Sequence, residues 1–134
     1  MVNAILLRIH QSGHLAEISE DRMSYIKEGI LYHKKICNAL KEGVPFWPLG
    51  LASFSHEFIC VGVDCGNKLY LAAWRIRGKA EFISIPVRQA QGKSVKAGCS
   101  YPENLPTSFK WDSVEGSLQV KLEPETARIF EIEL

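Results

Sequence analysis

The sequence predicts a mainly β protein: an antiparallel β-sandwich of about seven strands, preceded by one strand and one long amphipathic α-helix. Three observations carry that reading. From residue 57 onward, short apolar runs are separated by Gly-, Pro- and Asp-containing turns. Before them, residues 19–43 hold a helical apolar period with start and stop signals at its two ends. Before that, Ala4-Ile5-Leu6-Leu7-Arg8-Ile9 is a nearly continuous apolar run that reads as a strand buried on both faces.

Taken in order, the opening strand is followed by the polar loop Gln11-Ser12-Gly13-His14 and then by the helix. Ser19 suits the N-cap, where its hydroxyl accepts from an unpaired backbone N–H, and Glu20 and Asp21 place negative charge on the first turn. Met23, Ile26, Ile30, His33, Cys37 and Leu40 recur at three- and four-residue spacing and predict the packed stripe. Gly29 costs about 1 kcal/mol relative to Ala inside a helix, which marks a close contact, and Gly43 offers a left-handed cap. A strand followed by a helix needs parallel neighbours, and the later strands all read as antiparallel. Residues 1–43 therefore read as a remnant of a larger unit, with the unpaired edge of Ala4–Ile9 expected to drive self-association.

Residues 44–56 hold Val44-Pro45-Phe46-Trp47-Pro48-Leu49-Gly50-Leu51, an extended connector pressed against its neighbours. Residues 57–134 form the sandwich. Its strands are expected at 57–64, 68–77, 80–87, 94–99, 107–111, 117–122 and 127–134, with Cys65-Gly66-Asn67 as the first hairpin turn. Leu118, Val120 and Leu122 share one phase, and Phe130, Ile132 and Leu134 alternate with Glu131 and Glu133. Phe58, Trp74, Phe82 or Ile83, Val120, Ile132 and Leu134 are the expected core, complete without residues 1–43.

Composition removes several classes of partner. Sixteen basic and 15 acidic residues are mixed along the chain for a net charge of +1, so no basic footprint exists for nucleic acid or an anionic membrane. No apolar run approaches the roughly 20 residues that span a bilayer. Arg8 and His10 break any signal-peptide layout. Cys37, Cys60, Cys65 and Cys99 form no CxxC pair and read as free thiols of a cytoplasmic protein, with neither metal nor cofactor expected.

The phrase Arg8-Ile9-His10-Gln11-Ser12-Gly13-His14-Leu15-Ala16-Glu17 resembles the final barrel strand and loop of melibiase-type α-galactosidases. Pro45-Phe46-Trp47-Pro48-Leu49-Gly50 and Tyr70-Leu71-Ala72-Ala73-Trp74-Arg75 are similar to the tail of the same enzymes. The resemblance covers essentially the whole chain. It implies a (β/α)8 catalytic barrel whose eighth strand and helix are residues 1–43, with a C-terminal β-sandwich after it. It also implies retaining hydrolysis of α-galactosides by two aspartates on earlier barrel strands, so this chain is expected to be non-catalytic. Its partners would be the missing barrel or a second copy, and α-galactoside sugars.

Lys110-Trp111-Asp112 resembles the start of the family's nucleophile motif. Ser113 and Val114 follow it, whereas the family has Asn two residues on. A retaining pair must also flank the bond about 5–5.5 Å apart in one cleft. Asp112 therefore reads as a turn residue near a strand end. His10, Ser12 and His14 are candidates for lining the sugar pocket of an intact parent, since barrel enzymes build active sites after their strands. Metal binding by His10 and His14 lacks a third ligand.

A reading from another class is a carbohydrate-binding module. Trp111 and Tyr101, near loops, are its main stacking candidates, beside Trp47 and Trp74. A small interaction protein reusing the fold is a further alternative.

Overall fold

The computed structural model describes residues 1–10 and 15–134. Eight strands form two antiparallel sheets: β1 (Val44–Phe46), β2 (Phe58–Asp64), β3 (Lys68–Arg75), β4 (Phe82–Pro86), β5 (Lys96–Tyr101), β6 (Phe109–Asp112), β7 (Ser117–Lys121) and β8 (Thr126–Glu133). The larger sheet has the order β1-β2-β3-β8-β5 and the smaller β4-β7-β6. The mainly β sandwich expected from the sequence is present, with seven strands after residue 57 and an eighth, β1, recruited from the connector. β1 pairs with β2 through Val44–Asp64 and Phe46–Gly62, so the connector is an edge of the sheet and not a spacer.

Between the sheets lies a core centred on Leu69, Leu71, Ile85, Leu118, Phe130 and Ile132, each fully buried. Its alternation follows the sequence: Leu118, Val120 and Leu122 face inward while Gln119 faces solvent. Phe130 meets Phe109 edge to face, with ring centroids 5.6 Å apart. Arg75 ties the two sheets together from the end of β3. Its guanidinium donates to the carbonyls of Leu122 at 2.8 Å and Gly78 at 3.0 Å. The expected core residue at the start of β4 is Ile83. Phe82 points outward, 63% exposed, beneath the Lys121 ammonium.

The opening strand is not formed. Val2–Ile5 is a short helix, α1, whose backbone closes on itself through Ala4 N–H to Met1 O at 2.8 Å and Leu7 N–H to Ala4 O at 3.0 Å. Ala and Leu favour helix, and no strand lies alongside to pair with an extended backbone. A helical turn places Val2, Ile5 and Leu6 on one face, and all three are buried. No strand edge remains at residues 4–9 for the self-association expected from it.

The long helix α2 (Glu20–Lys41) begins as expected, with the Ser19 hydroxyl accepting from Arg22 N–H at 3.5 Å. Its fully buried seam is Gly29, Tyr32 and Ile36, whereas Met23, Ile26, Ile30, His33, Cys37 and Leu40 are half-buried at the border. The seam lies one residue, about 100° of helix rotation, from the stripe read off the sequence. Hydrophobicity alone passes over a glycine and a tyrosine. Gly29 is the close contact its position suggests: a Cβ there would meet Met1 Cε at 2.9 Å, Ile5 Cδ1 at 3.2 Å and Tyr101 Cε2 at 3.3 Å. Gly43 does not adopt a left-handed cap. Glu42 ends the helix in right-handed geometry, and a Cβ on Gly43 would collide with Val63 Cγ1. Gly66 does supply the positive φ of its hairpin, at +85°.

α1 and α2 cover the outer face of the five-stranded sheet. Val63, Tyr70, Ala72, Tyr101 and Ile129 on that face are buried beneath Val2, Ile5, Leu6, Tyr32 and Ile36. Trp74 keeps the phase of Tyr70 and Ala72, so it faces this helical layer and not the inter-sheet core. The sandwich therefore does not complete its own burial: residues 1–43 supply half of a second core.

Ile36→Ala should lower the free energy of unfolding by about 2–4 kcal/mol in urea titrations, the cost of an unfilled core site. Leu31→Ala, at a position 67% exposed, should change it little. Removing residues 1–43 should leave a β-rich chain that binds a hydrophobic dye and aggregates. A monomeric, cooperatively melting 44–134 fragment would show that the helical layer is dispensable.

Candidate functional site

His10 is exposed in the irregular segment after α1, while Ser12 and His14 lie outside the described residues. His33, on the buried side of α2, is engaged locally, with Nδ1 2.7 Å from Ile5 O. Among the described residues, no group of three His, Cys, Asp or Glu side chains is arranged to hold a metal ion.

Asp112 occupies the turn between β6 and β7. Its Oδ1 accepts from the backbone N–H groups of Val114 at 3.0 Å and Glu115 at 3.1 Å, which closes the hairpin. The Lys110-Trp111-Asp112 phrase is thus spent on a turn.

The two stacking candidates fare differently from the expectation. Tyr101 is 2% exposed, wedged between Gly29 and the sheet, and its hydroxyl donates to Tyr25 O at 2.9 Å. Burial and the nearby Glu28 push that phenol up to about 12. No ring face is left for a sugar, because a β-bulge between Cys99 and Tyr101 turns the side chain under the helix. Trp111 is half-buried against the inter-sheet core, with its indole N–H shut off from solvent.

Two grooves present functional side chains. The first, about 480 Å³, runs between α1, the first turns of α2 and the ends of β3 and β8, and is lined by Asn3, Arg22, Tyr25, Trp74 and Glu125 among others. Trp74 Nε1–H donates to Asn3 Oδ1 at 2.7 Å, which commits the indole's polar end to the protein. Glu125, at φ +56°, is the only non-glycine residue with positive φ among the described residues.

The second groove, about 450 Å³, lies where β1 and the turn after it approach the end of β4. It is lined by Phe46, Trp47, Pro48 and Gly50 on one side and by Pro86, Arg88 and Gln89 on the other. The sequence places Trp47 in a packed connector, with sugar stacking as its secondary reading, and does not single out Arg88 or Gln89. Their signal was available only as apolar neighbours, Val87 and Ala90, that fix the backbone between them.

A partly buried charged cluster joins helix to sheet. Tyr32 O–H donates to Glu131 Oε1 at 2.7 Å, and Lys68 Nζ reaches Glu131 Oε2 at 2.8 Å and Glu133 Oε1 at 3.0 Å. Burial, with the acceptor Glu131 beside it, raises the Tyr32 phenol, and the two carboxylates raise Lys68. For Glu131, burial pushes upward, but hydrogen bonds from Lys68 and Tyr32 outweigh it and hold the carboxyl below its ordinary 4.5. The arrangement is a structural clamp. Both Glu131 oxygens are engaged by the protein itself.

No family model matches the chain, and no curated protein matches it either.

Because the folded-state value of Glu131 lies below 4.5, its stabilising contribution is present above that pH and is lost as pH falls through the folded value. Glu131→Gln should therefore lose less stability than the parent between about pH 6 and about pH 3 in thermal melts. Equal slopes for the two proteins would remove Glu131 from the acid response.

Proposed function

We propose that this chain is the non-catalytic C-terminal portion of an α-galactosidase-like glycoside hydrolase, with a structural role in supporting the parent's catalytic barrel. The observation that carries the reading is the Arg8–Glu17 phrase, joined by the 45–50 connector and the 70–75 strand in matching order. Surface composition gives further support. Leu7, Leu31, Val44, Trp47, Leu51 and Phe54 are large, apolar and exposed, Phe54 at 97%, and lie within the first 56 residues, while Ile76, Phe82 and Val114 are exposed beyond them. A body covering the helical layer and the connector would remove that surface from water, worth about 25 cal/mol per Å² buried.

The partner under this reading is the barrel, and α-galactosides are the substrates of the assembled enzyme, not of this chain. His10, Ser12 and His14 would line the sugar pocket of the intact parent. Asp112 has no nucleophilic role, since its carboxylate holds a turn. A cytoplasmic location fits the four unpaired cysteines. Burial raises the Cys60 thiol and keeps it unreactive. Among the described residues, no helix is long and apolar enough to cross a membrane.

The purified chain should show no turnover of an aryl α-galactoside. Co-expression with a melibiase-type barrel trimmed of its last strand, helix and sandwich should restore soluble, active enzyme. Turnover by the chain alone that Asp112→Ala abolishes, or failure to rescue any of several trimmed barrels, would overturn the reading. In the isolated chain, Asp112→Ala should cost about 1 kcal/mol of stability through the lost turn bonds.

A further inference from the structure

We propose that the groove between Trp47 and the Pro86–Gln89 segment is a binding site for a pyranose ring, independent of the galactosidase reading. Each of its two walls is held by buried neighbours. Phe46 packs onto the inter-sheet core and lies over Gly62, where any Cβ would collide with its ring. Leu49 packs on the same core, and Gly50 N–H closes a turn on Trp47 O at 3.0 Å. With Phe46 and Leu49 turned inward, the residue beside Phe46 is turned outward. Trp47 is 48% exposed although the backbone carrying it is anchored on both sides.

The opposite wall is built the same way. Val87 and Ala90 are fully buried, and Ala90 N–H bonds Val87 O at 2.9 Å in a short 3-10 turn. Arg88 and Gln89, between these anchors, line the groove. Among the described residues, neither side chain makes a hydrogen bond or ion pair with the protein.

These groups define a ligand chemistry. An indole offers a broad, rigid apolar face at low conformational cost. Gln89 supplies an acceptor and two donors, and Arg88 a planar fork of donors. A pyranose has the matching pair of surfaces, a patch of axial C–H groups on one face and hydroxyls around its rim. A purely aliphatic ligand would cover Arg88 and Gln89 without satisfying them, which is unfavourable. A groove of about 450 Å³ falls within the range that holds small ligands and is of a size for one or two sugar rings. Of the three tryptophans, Trp47 is the exposed one, whereas Trp74 is half-buried with its N–H tied to Asn3 and Trp111 is half-buried against the core.

The test is a titration of the intact chain with methyl α-D-galactopyranoside, melibiose and cellobiose, followed by the three indole N–H resonances. Saturable shifts confined to Trp47 and its neighbours are expected, with a Kd in the millimolar range. Trp47→Ala should abolish them, Arg88→Ala should weaken binding several-fold, and Trp111→Phe should leave it unchanged. The proposal is overturned if no sugar shifts Trp47 at tens of millimolar, if the shifts centre on Trp74, or if Trp47→Ala still binds. The readout needs no catalytic barrel, so a negative result here leaves the galactosidase reading standing, and failed barrel rescue leaves this site standing.

Discussion

Burial of the five-stranded sheet on both of its faces is the constraint on which the rest of this structure depends. Strand β3 shows it most directly. Leu69, Leu71 and Ala73 enter the core between the sheets, while Tyr70, Ala72 and Trp74 enter the core beneath the helices. A strand with apolar residues in both phases cannot leave one face to water, so the second face has to be roofed. α1 and α2 are that roof. Their placement determines which side chains of the first third of the chain are available for anything else.

Roofing a sheet brings polar groups out of water, and the interface satisfies them in place. Glu131 projects from β8 toward the helix, where an unpaired carboxylate would be costly. Tyr32 donates to one of its oxygens and Lys68 to the other. Tyr101 solves the same problem differently, its hydroxyl donating a hydrogen bond to the helix carbonyl of Tyr25. Each bond also fixes the rotation of α2 about its axis, because Tyr32 and Gly29 must both face the sheet. That is why the seam follows a glycine and a tyrosine while isoleucines and a methionine lie at its border.

The same logic sorts the aromatic side chains into structural and available ones. Tyr101 and Trp111, near turns in the sequence, are drawn inward by a bulge and by the inter-sheet core. Trp47, surrounded by prolines and apolar residues, is turned outward because both of its anchoring neighbours point in. The turn after the edge strand, closed by Gly50 N–H on Trp47 O, decides the matter, not local hydrophobicity. Asp112 is likewise assigned by geometry: its two backbone bonds make it a hairpin residue whatever its sequence neighbours resemble.

The sandwich was legible in the sequence alone because its signals are local. Period-two alternation in Leu118–Leu122 and Phe130–Leu134, a glycine turn after Asp64, and the Ser19 cap each act within a few residues, and each is realised. The helix was legible for the same reason, and Gly29 announced a close contact. What the sequence left open were choices made between distant segments. Ala4–Ile9 suits a strand or a helix equally well as a short apolar run, and the absence of a neighbouring strand, with a waiting apolar sheet face, makes it helical and buries Ile5. The phase of β3 was readable, but not which phase would meet the second sheet and which the helix. The Trp47 groove was least legible of all, since it joins residues about 40 positions apart whose proximity arises only when β1 and β4 end at the same edge of the sandwich. Local propensity carries no information about such a meeting; burial of two apolar sheet faces at once produces it.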